Sequence, residues 1–166
     1  GQPLHPGGWN NTFNFYGVDL SIFFNWSYGN NILNANRLMF EYYDGSQLNQ
    51  FGTMRNAYSV ERNPQSDIPR AGARGMEYYS SRVVEDGSFL RLKTLTLGYT
   101  IPDKLLKKVK ISSLRVYLTG DNLFTITNYS GPDPEVSTRN SVLTPGFDWS
   151  AYPRARTITG GISLTF

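Results

Sequence analysis

Cysteine is absent from this sequence and histidine occurs once, at position 5. The lack of cysteine excludes disulfides, thiolate metal sites and cysteine nucleophiles. A single histidine, in a terminus rich in proline and glycine, cannot build a usual zinc site and offers little for a nucleophile triad. The sequence therefore predicts a protein that is not an enzyme, and it implies neither a metal nor a cofactor.

Long apolar runs are also missing, although aromatic residues are abundant. Hydrophobic residues make up 39% of the 166 residues, and aromatic residues reach 14%. A membrane-spanning helix needs about 20 consecutive apolar residues, whereas apolar stretches such as 22–24 are soon interrupted by polar residues. A membrane-spanning strand needs only alternate apolar side chains. The composition excludes a helical membrane protein but allows a membrane β-barrel.

The basic residues give little support to a nucleic-acid partner. The net charge is +3, with 16 basic residues. Their only tight cluster contains Lys104, Lys107, Lys108 and Lys110, in a connection between two predicted strands. A nucleic-acid-binding protein would carry a larger basic face, so we expect this cluster to be a solvated turn.

Alternation of apolar and polar residues with a period of two predicts antiparallel strands. The pattern is clearest from Val18 to Tyr28, where only Phe23 breaks it, and Tyr16-Gly17 supplies a tight hairpin turn before it. The predicted strands lie near 9–16, 18–28, 88–100, 113–127 and 155–166. The sequence thus indicates an all-β fold.

The third predicted strand contains a break in this alternation. Its second half places Leu95 and Leu97 on one face, but Leu90 and Leu92 fall on the other. A β-bulge near Lys93-Thr94 would restore the phase. Alternatively, the two earlier leucines lie beyond the bilayer and contact other protein.

The connections between the predicted strands alternate in length. They are short at 16–17 and 101–112, and long at 29–87 and 128–154. Outer-membrane barrels have short periplasmic turns and long extracellular loops, so we predict strands of a transmembrane β-barrel. The first long loop also contains a predicted short helix near 34–42. A secreted β-sandwich, serving as a carbohydrate-binding or adhesin domain, remains an alternative.

The aromatic residues divide into two predicted groups. Trp26 and Tyr28 would mark the outer membrane interface, and Tyr99 and Phe166 the inner one. Aromatic rings in the loops can stack on a ligand or contact a lid protein, although loop packing and interfacial anchoring compete with that role. These candidate contact residues are Tyr42, Tyr43, Tyr58, Tyr78, Tyr79, Trp149 and Tyr152.

Several segments, in order along the chain, resemble the C-terminal portion of the SusC/RagA family of TonB-dependent outer-membrane transporters. They are EDGSFLRLKTLTLGYT at 85–100, SLRVYLTGDNLF at 113–124, DPEV at 133–136, YPRART at 152–157 and ISLTF at 162–166. Earlier segments, GGWNNTF at 7–13 and VDLSIFF at 18–24, are also similar to the family. The resemblance covers nearly the whole chain.

The resemblance implies part of an importer of large nutrients, such as glycans or peptides, in a Bacteroidetes-type outer membrane. The implied partners are the rest of the barrel and its plug, a SusD-like surface lipoprotein, TonB, outer-membrane lipid, and the barrel-assembly machinery. The last of these would recognise Phe166 at the end of an alternating strand. About five strands are too few to close a barrel, so we expect a longer source protein. A barrel tail bound by an assembly factor is a further alternative.

Overall fold

The computed structural model describes residues 1–42, 48–72, 80–106, 111–136 and 145–166. In chain order the elements are β1 (His5–Phe15), β2 (Val18–Tyr28), β3 (Asn31–Asn34), α1 (Ala35–Phe40), β4 (Val84–Asp86), β5 (Phe89–Thr100), α2 (Asp103–Leu106), β6 (Ser113–Thr127), β7 (Phe147–Asp148) and β8 (Thr157–Thr165), with short 3₁₀ helices at Gly52–Asn56 and Ser81–Val83. No helix in the described ranges is both long and apolar enough to cross a membrane.

The chain forms two compact units, each described by itself. The sheet unit comprises 4–28, 88–127 and 154–166, and the loop unit comprises 1–3, 29–87 and 128–153. The sheet unit contains five antiparallel strands in the order β1-β2-β5-β6-β8, which confirms the predicted all-β, antiparallel fold class. β1 and β8 are its two edge strands.

Strands β2 and β6 occupy the ranges that the alternation predicts, whereas β1 begins four residues before its predicted start. Residues 5–8 pair in register with the end of β2, but Gly7 and Gly8 have no side chains to alternate. The ring of Trp26 covers Gly7 instead, and that of Phe23 covers Gly8. The strand therefore continues through two glycines that aromatic rings of the neighbouring strand cover, although the residue types alone do not predict it.

The hairpin between β1 and β2 has a two-residue turn, because Phe15 pairs directly with Val18. Tyr16 has a φ of 47° and Gly17 a φ of 85°. Positive φ at both central residues is the type I′ geometry, whose twist matches that of the flanking strands. A side chain at Gly17 would also meet the carbonyl oxygen of Thr100. The predicted Tyr16-Gly17 turn is confirmed.

A register shift interrupts β5 at the point where its alternation fails. Leu92 pairs with Phe24 and Thr94 pairs with Phe23, so Lys93 is an extra residue relative to β2. This confirms the predicted β-bulge and decides between the two alternatives for the leucines. Beyond the bulge, Leu90 and Leu92 rejoin the face that holds the apolar residues of the second half of the strand.

One face of the five-stranded sheet is apolar and exposed. Its side chains lie opposite one another across the strands, as Leu97 does with Leu118. Members that are more than half exposed include Trp9, Phe13, Leu97, Leu118, Ile158 and Ile162. A soluble β-sandwich would bury such a face against a second sheet. The exposure of this face therefore argues against a β-sandwich.

The opposite face is polar and rich in hydroxyl groups. The hydroxyls of Thr96 and Thr119 lie 2.9 Å apart. Nearer one end, Arg115 on β6 donates through Nε to Asp19 Oδ1 on β2 at 2.9 Å. This ion pair passes over Gly98 of the intervening strand, where any side chain would collide with both partners. The glycine thus allows β2 and β6 to interact directly across β5.

The loop unit contains a second sheet of three short strands in the order β4-β3-β7. β3 runs antiparallel to β4 and parallel to β7. Its core joins Ile32, Tyr129 and Val136, with Ala151 packed against them. Burial and a hydrogen bond to Asp148 raise the pKa of the Tyr129 hydroxyl, which stays protonated. The segments predicted as long loops therefore contain regular structure, including the predicted short helix as α1.

Candidate ligand-binding cavity

Glu85 on β4 joins three separate segments of the loop unit. Its Oε1 accepts from the Ser130 hydroxyl at 2.8 Å and from Asn34 Nδ2 at 3.1 Å, while Oε2 accepts from the Ser130 backbone N–H at 2.9 Å. Burial alone would raise the pKa of this carboxyl, but the hydrogen bonds from Ser130 and Asn34 and the charge of Arg37 outweigh it, so the pKa is lowered. Glu85 therefore stays ionised as the centre of this junction.

Glu41, directly after α1, forms a second buried centre. Its Oε2 accepts from Arg37 Nε at 2.8 Å and from Arg82 Nη1 at 2.7 Å, and Oε1 accepts from the Thr53 hydroxyl at 3.0 Å. Burial acts to lower the pKa of Arg37, but its bond to Glu41 and the charges of Glu41 and Glu85 raise it overall. Asp67 Oδ2 also lies 3.9 Å from Arg37 Nη2, so the network contains two arginines and three carboxylates.

A cavity of about 660 Å³ opens beside this network, within the loop unit. Its wall consists of Asn34, Asn36, Arg37, Glu41, Phe51, Gly52, Thr53, Ser130, Gly131 and Pro132. The ring of Phe51 packs against that of Phe40 in α1, with centroids 5.2 Å apart. A few polar groups beside apolar surface, in a cavity of this size, are typical of small-molecule binding sites.

Two asparagines in this wall differ in how their side chains are bonded. Asn36 Oδ1 accepts from the Ser150 backbone N–H at 2.7 Å and from its hydroxyl at 3.4 Å. Within the described part of the chain, Asn34 Oδ1 is buried and has no hydrogen-bond partner. Buried polar groups are usually satisfied, and because this oxygen is fully buried, it is an unsatisfied group inside the fold rather than one that faces the cavity.

Sequence patterns alone do not predict a role for these residues, because the predicted loop contacts are aromatic rings. A signal was available in the spacing of Arg37 and Glu41, which are four residues apart on a predicted helix and form an ion pair. The contribution of Asn36 depends on Ser150, 114 residues away. Local sequence could not have indicated that contact.

The predicted loop aromatics that the structure describes are not part of the cavity wall. Tyr42 is half-buried, and its carbonyl oxygen accepts from Gln50 Nε2 at 3.2 Å. Trp149 stacks on Phe147 at 6.2 Å, and Tyr152 is 91% exposed. Tyr58 is also exposed. Tyr43, Tyr78 and Tyr79 lie outside the described residues, and a ligand role for the whole group stays a prediction.

The predicted interfacial aromatics all belong to the sheet unit. Tyr28 is exposed at one end of β2, stacked on His5 at 6.5 Å, and Trp26 lies two pairs further in, opposite Gly7. Tyr99 is exposed at the other end, where it pairs with Val18. Phe166 follows β8 and is 86% exposed. Their anchoring roles, and the assembly role of Phe166, stay predictions.

The sheet unit defines a class of protein. Long antiparallel strands with an exposed apolar face and a hydroxyl-rich opposite face are those of a transmembrane β-barrel. Packing in water would instead leave this apolar surface uncovered, at a cost of about 25 cal/mol for each Å². The chain therefore contributes part of a barrel wall.

No protein-family model matches the chain. It is 38% identical over 164 residues to the TonB-dependent receptor P3 of Formosa agariphila, covering 96% of this chain and 16% of that protein. It is 38% identical over 114 residues to the TonB-dependent receptor SusC of Bacteroides thetaiotaomicron, covering 67% of this chain and 10% of that protein. The RagAB peptide importer in its closed-closed state matches with a TM-score of 0.82 and 31% identity, over 99% of this chain and 17% of that one.

The chain belongs to the SusC/RagA family of TonB-dependent outer-membrane transporters, which confirms the family indicated by its sequence segments. It spans 16% of the length of the Formosa agariphila relative. The likeness to the peptide importer extends over both units, because the match covers 99% of the chain.

Proposed function

We propose that this chain forms part of the wall and loops of an active importer of large nutrients in a Bacteroidetes-type outer membrane. The exposed apolar face of the sheet unit carries this proposal, because side chains such as Leu118 and Ile162 have favourable surroundings only in hydrocarbon. The edge strands β1 and β8 also need further strands, since lipid cannot satisfy their free N–H and C=O groups. The protein's part in transport is binding and gating, without a catalytic step.

The proposed substrates are glycans or peptides. The proposed partners are the remaining barrel strands and a plug, a SusD-like surface lipoprotein, and TonB as the source of energy. Support comes from the relatives, which are named TonB-dependent receptors, and from the related structure, which is named a peptide importer. The exposed rings of Trp149 and Tyr152 suit contact with a lid protein or a substrate, because aromatic rings combine apolar faces with a polar edge.

A growth assay tests the import function. A strain that lacks the intact transporter should fail to grow when the imported class, either oligopeptides or oligosaccharides, is the sole nutrient. It should grow normally on free amino acids and monosaccharides, and the wild-type gene should restore the lost growth only when TonB is present. Unchanged growth on both oligomer classes would contradict the proposal.

Phe166 provides a separate test of the assembly role. Deleting it from the intact transporter should lower the yield in the outer membrane, if the assembly machinery binds this exposed ring. Replacement by Tyr keeps an aromatic ring and should retain the yield. An unchanged yield after deletion would remove the assembly role and leave interfacial anchoring.

A further inference from the structure

We propose that Asn11 on β1 forms a side-chain hydrogen bond, on the lipid-facing side of the barrel, to a neutral polar residue of the strand that pairs with the free edge of β1. β1 is an edge strand of the sheet unit, and this neighbouring strand belongs to the rest of the barrel. The inference rests on the proposed membrane barrel for the existence of that strand. It goes further by naming the chemistry of one of its positions, and it does not depend on what the barrel imports.

Asn11 is a polar residue on the apolar face of the sheet. It lies between Trp9 and Phe13, which share that face and are both more than half exposed. The side chains that lie opposite and diagonal to Asn11 on β2 have no hydrogen-bonding group. They are Leu20, Ile22 and Phe24. β2 therefore supplies no partner for the side-chain amide of Asn11 on this face.

An amide at this depth needs a hydrogen-bond partner. Asn11 is half-exposed and lies near the middle of β1, which runs from His5 to Phe15. Hydrocarbon contains neither donors nor acceptors, so an unpaired side-chain amide facing lipid there costs free energy. Because β2 offers no partner, we expect the partner on the other side of β1.

The register brings the neighbouring strand closest to Asn11 at this position. The two-residue turn is closed by Phe15 and Val18 as a hydrogen-bonded pair. Hydrogen-bonded and non-hydrogen-bonded pairs alternate along an antiparallel ladder. Asn11 is an even number of positions before Phe15, so its backbone pairs in the hydrogen-bonded manner with Ile22. On the free edge Asn11 must then form a non-hydrogen-bonded pair, in which opposite Cα atoms are only about 4.5 Å apart.

The partner side chain should be uncharged. The amide of Asn11 offers both a donor and an acceptor, so a hydroxyl or a second amide can bond to it. A charged partner would place an ion in hydrocarbon, which is more costly. A polar pair at this point would join β1 to the neighbouring strand through side chains as well as through the backbone.

The test compares valine with threonine, which have nearly the same shape but differ in a hydroxyl group. In the intact transporter in lipid vesicles, Asn11→Thr should be more stable than Asn11→Val, because only threonine keeps a hydrogen bond to the neighbouring strand. Unfolding in urea, followed by gel mobility, should give a folded-to-unfolded ratio about threefold higher for Asn11→Thr at the same urea concentration.

The matched control makes the same exchange at Phe13, which lies on the same face of the same strand and pairs with Leu20. Phe13→Val should be more stable than Phe13→Thr, because a hydroxyl there faces hydrocarbon. If either variant at position 11 does not assemble, Asn11→Ser and Asn11→Ala repeat the comparison with smaller side chains, and Asn11→Ser should be the more stable of the two.

Three results would overturn the proposal. If the apolar variant at position 11 is at least as stable as the hydroxyl variant, and Phe13 shows the expected order, Asn11 faces lipid and the barrel assignment stands. Disulfide-linked dimers of Asn11→Cys, absent from the wild type, would place the contact on a second copy of the transporter. A reversed order at Phe13 would contradict the membrane-facing sheet itself. The growth assay measures import separately, so the two proposals fail in distinguishable ways.

Discussion

The two units of this chain differ in how far they expose apolar side chains of the same type. In the loop unit, Ile32 is 0% exposed and packs against Tyr129 and Val136. In the sheet unit, Ile162 is 67% exposed and lies on a face of similar apolar side chains. Apolar content therefore does not set burial here. The difference shows that one unit is built to exclude water from its interior, whereas the other presents its apolar side chains to its surroundings.

The ion pairs of the two units also differ in burial. The loop unit buries Glu41 and pairs it with Arg37 and Arg82. The sheet unit keeps its ion pair, Asp19 with Arg115, on the polar face and half-exposed. The described ion pairs of both units thus lie where a polar partner or water can reach them.

The largest expected effect comes from the core of the loop unit. Ile32→Ala should lower the local free energy of unfolding by about 2–5 kcal/mol, because it leaves a cavity between Tyr129 and Val136. Hydrogen exchange of the β3 amides in the intact transporter measures this loss. Val60→Ala, at a position that is 78% exposed, should change it by no more than about 0.5 kcal/mol. Equal effects would show that the loop unit has no distinct core.

A charge on the apolar face of the sheet should have the next largest effect. Leu118→Arg should destabilise the intact transporter in lipid vesicles by about 2–4 kcal/mol, because it places a cation in hydrocarbon near the middle of β6. Unfolding in urea, followed by gel mobility, measures the change. The matched control is Thr159→Arg, on the polar face at nearly the same depth, since Thr159 pairs with Thr119. If the two variants lose equal stability, the membrane-facing assignment is wrong.

Substitutions at two adjacent glycines of β8, which lie on opposite faces of the sheet, compare the two faces with a smaller expected loss of stability. The ring of Tyr117 covers Gly161, whereas a Cβ at Gly160 would meet Leu118 Cδ1 only at 3.9 Å. Gly161→Ala should therefore cost about 1–3 kcal/mol through overpacking. Gly160→Ala should cost nothing and could gain up to about 1 kcal/mol, because it restricts the unfolded chain. The same urea titration applies, and a reversed order would contradict the observed ring position.

The smallest expected effect is a pH dependence confined to the loop unit. The pKa of Glu85 is lowered from its ordinary value of 4.5. Its contribution to stability is therefore complete above that value and is lost as the pH falls through the lower, folded-state pKa. Glu85→Gln should reduce the acid-side slope of the local free energy of unfolding, measured by hydrogen exchange. Glu61→Gln, at an exposed position, should leave the slope unchanged.

Local patterns predict the sheet unit well. β2 and β6, the Tyr16-Gly17 turn and the bulge at Lys93 all follow from alternation and turn chemistry within a few residues. The start of β1 was missed because its two glycines carry no pattern. The loop unit depends on distant contacts, such as the parallel pairing of Leu33 with Phe147. A period of two or of 3.6 residues contains no information about such pairs.

The candidate site shows the same limit. The sequence predicts ligand contacts at loop tyrosines and at Trp149, whereas the cavity wall combines asparagines with a charged network. Asparagine is common in loops and turns, so Asn34 and Asn36 could not be distinguished from others in the chain. Only the convergence of Ser130 and Glu85 on Asn34 sets it apart.

Because of the bulge at Lys93, the orientation of the side chains in β5 depends on the number of residues at this point and not on the identity of the side chain. The extra residue changes which positions face the apolar side of the sheet. Odd-numbered residues face that side after the bulge, and even-numbered residues face it before the bulge. Removing that single position would turn half of the strand inside out while leaving its composition almost intact. Replacing its side chain would leave the phase unaltered. The strand therefore tolerates a substitution at position 93 but not a deletion or an insertion there.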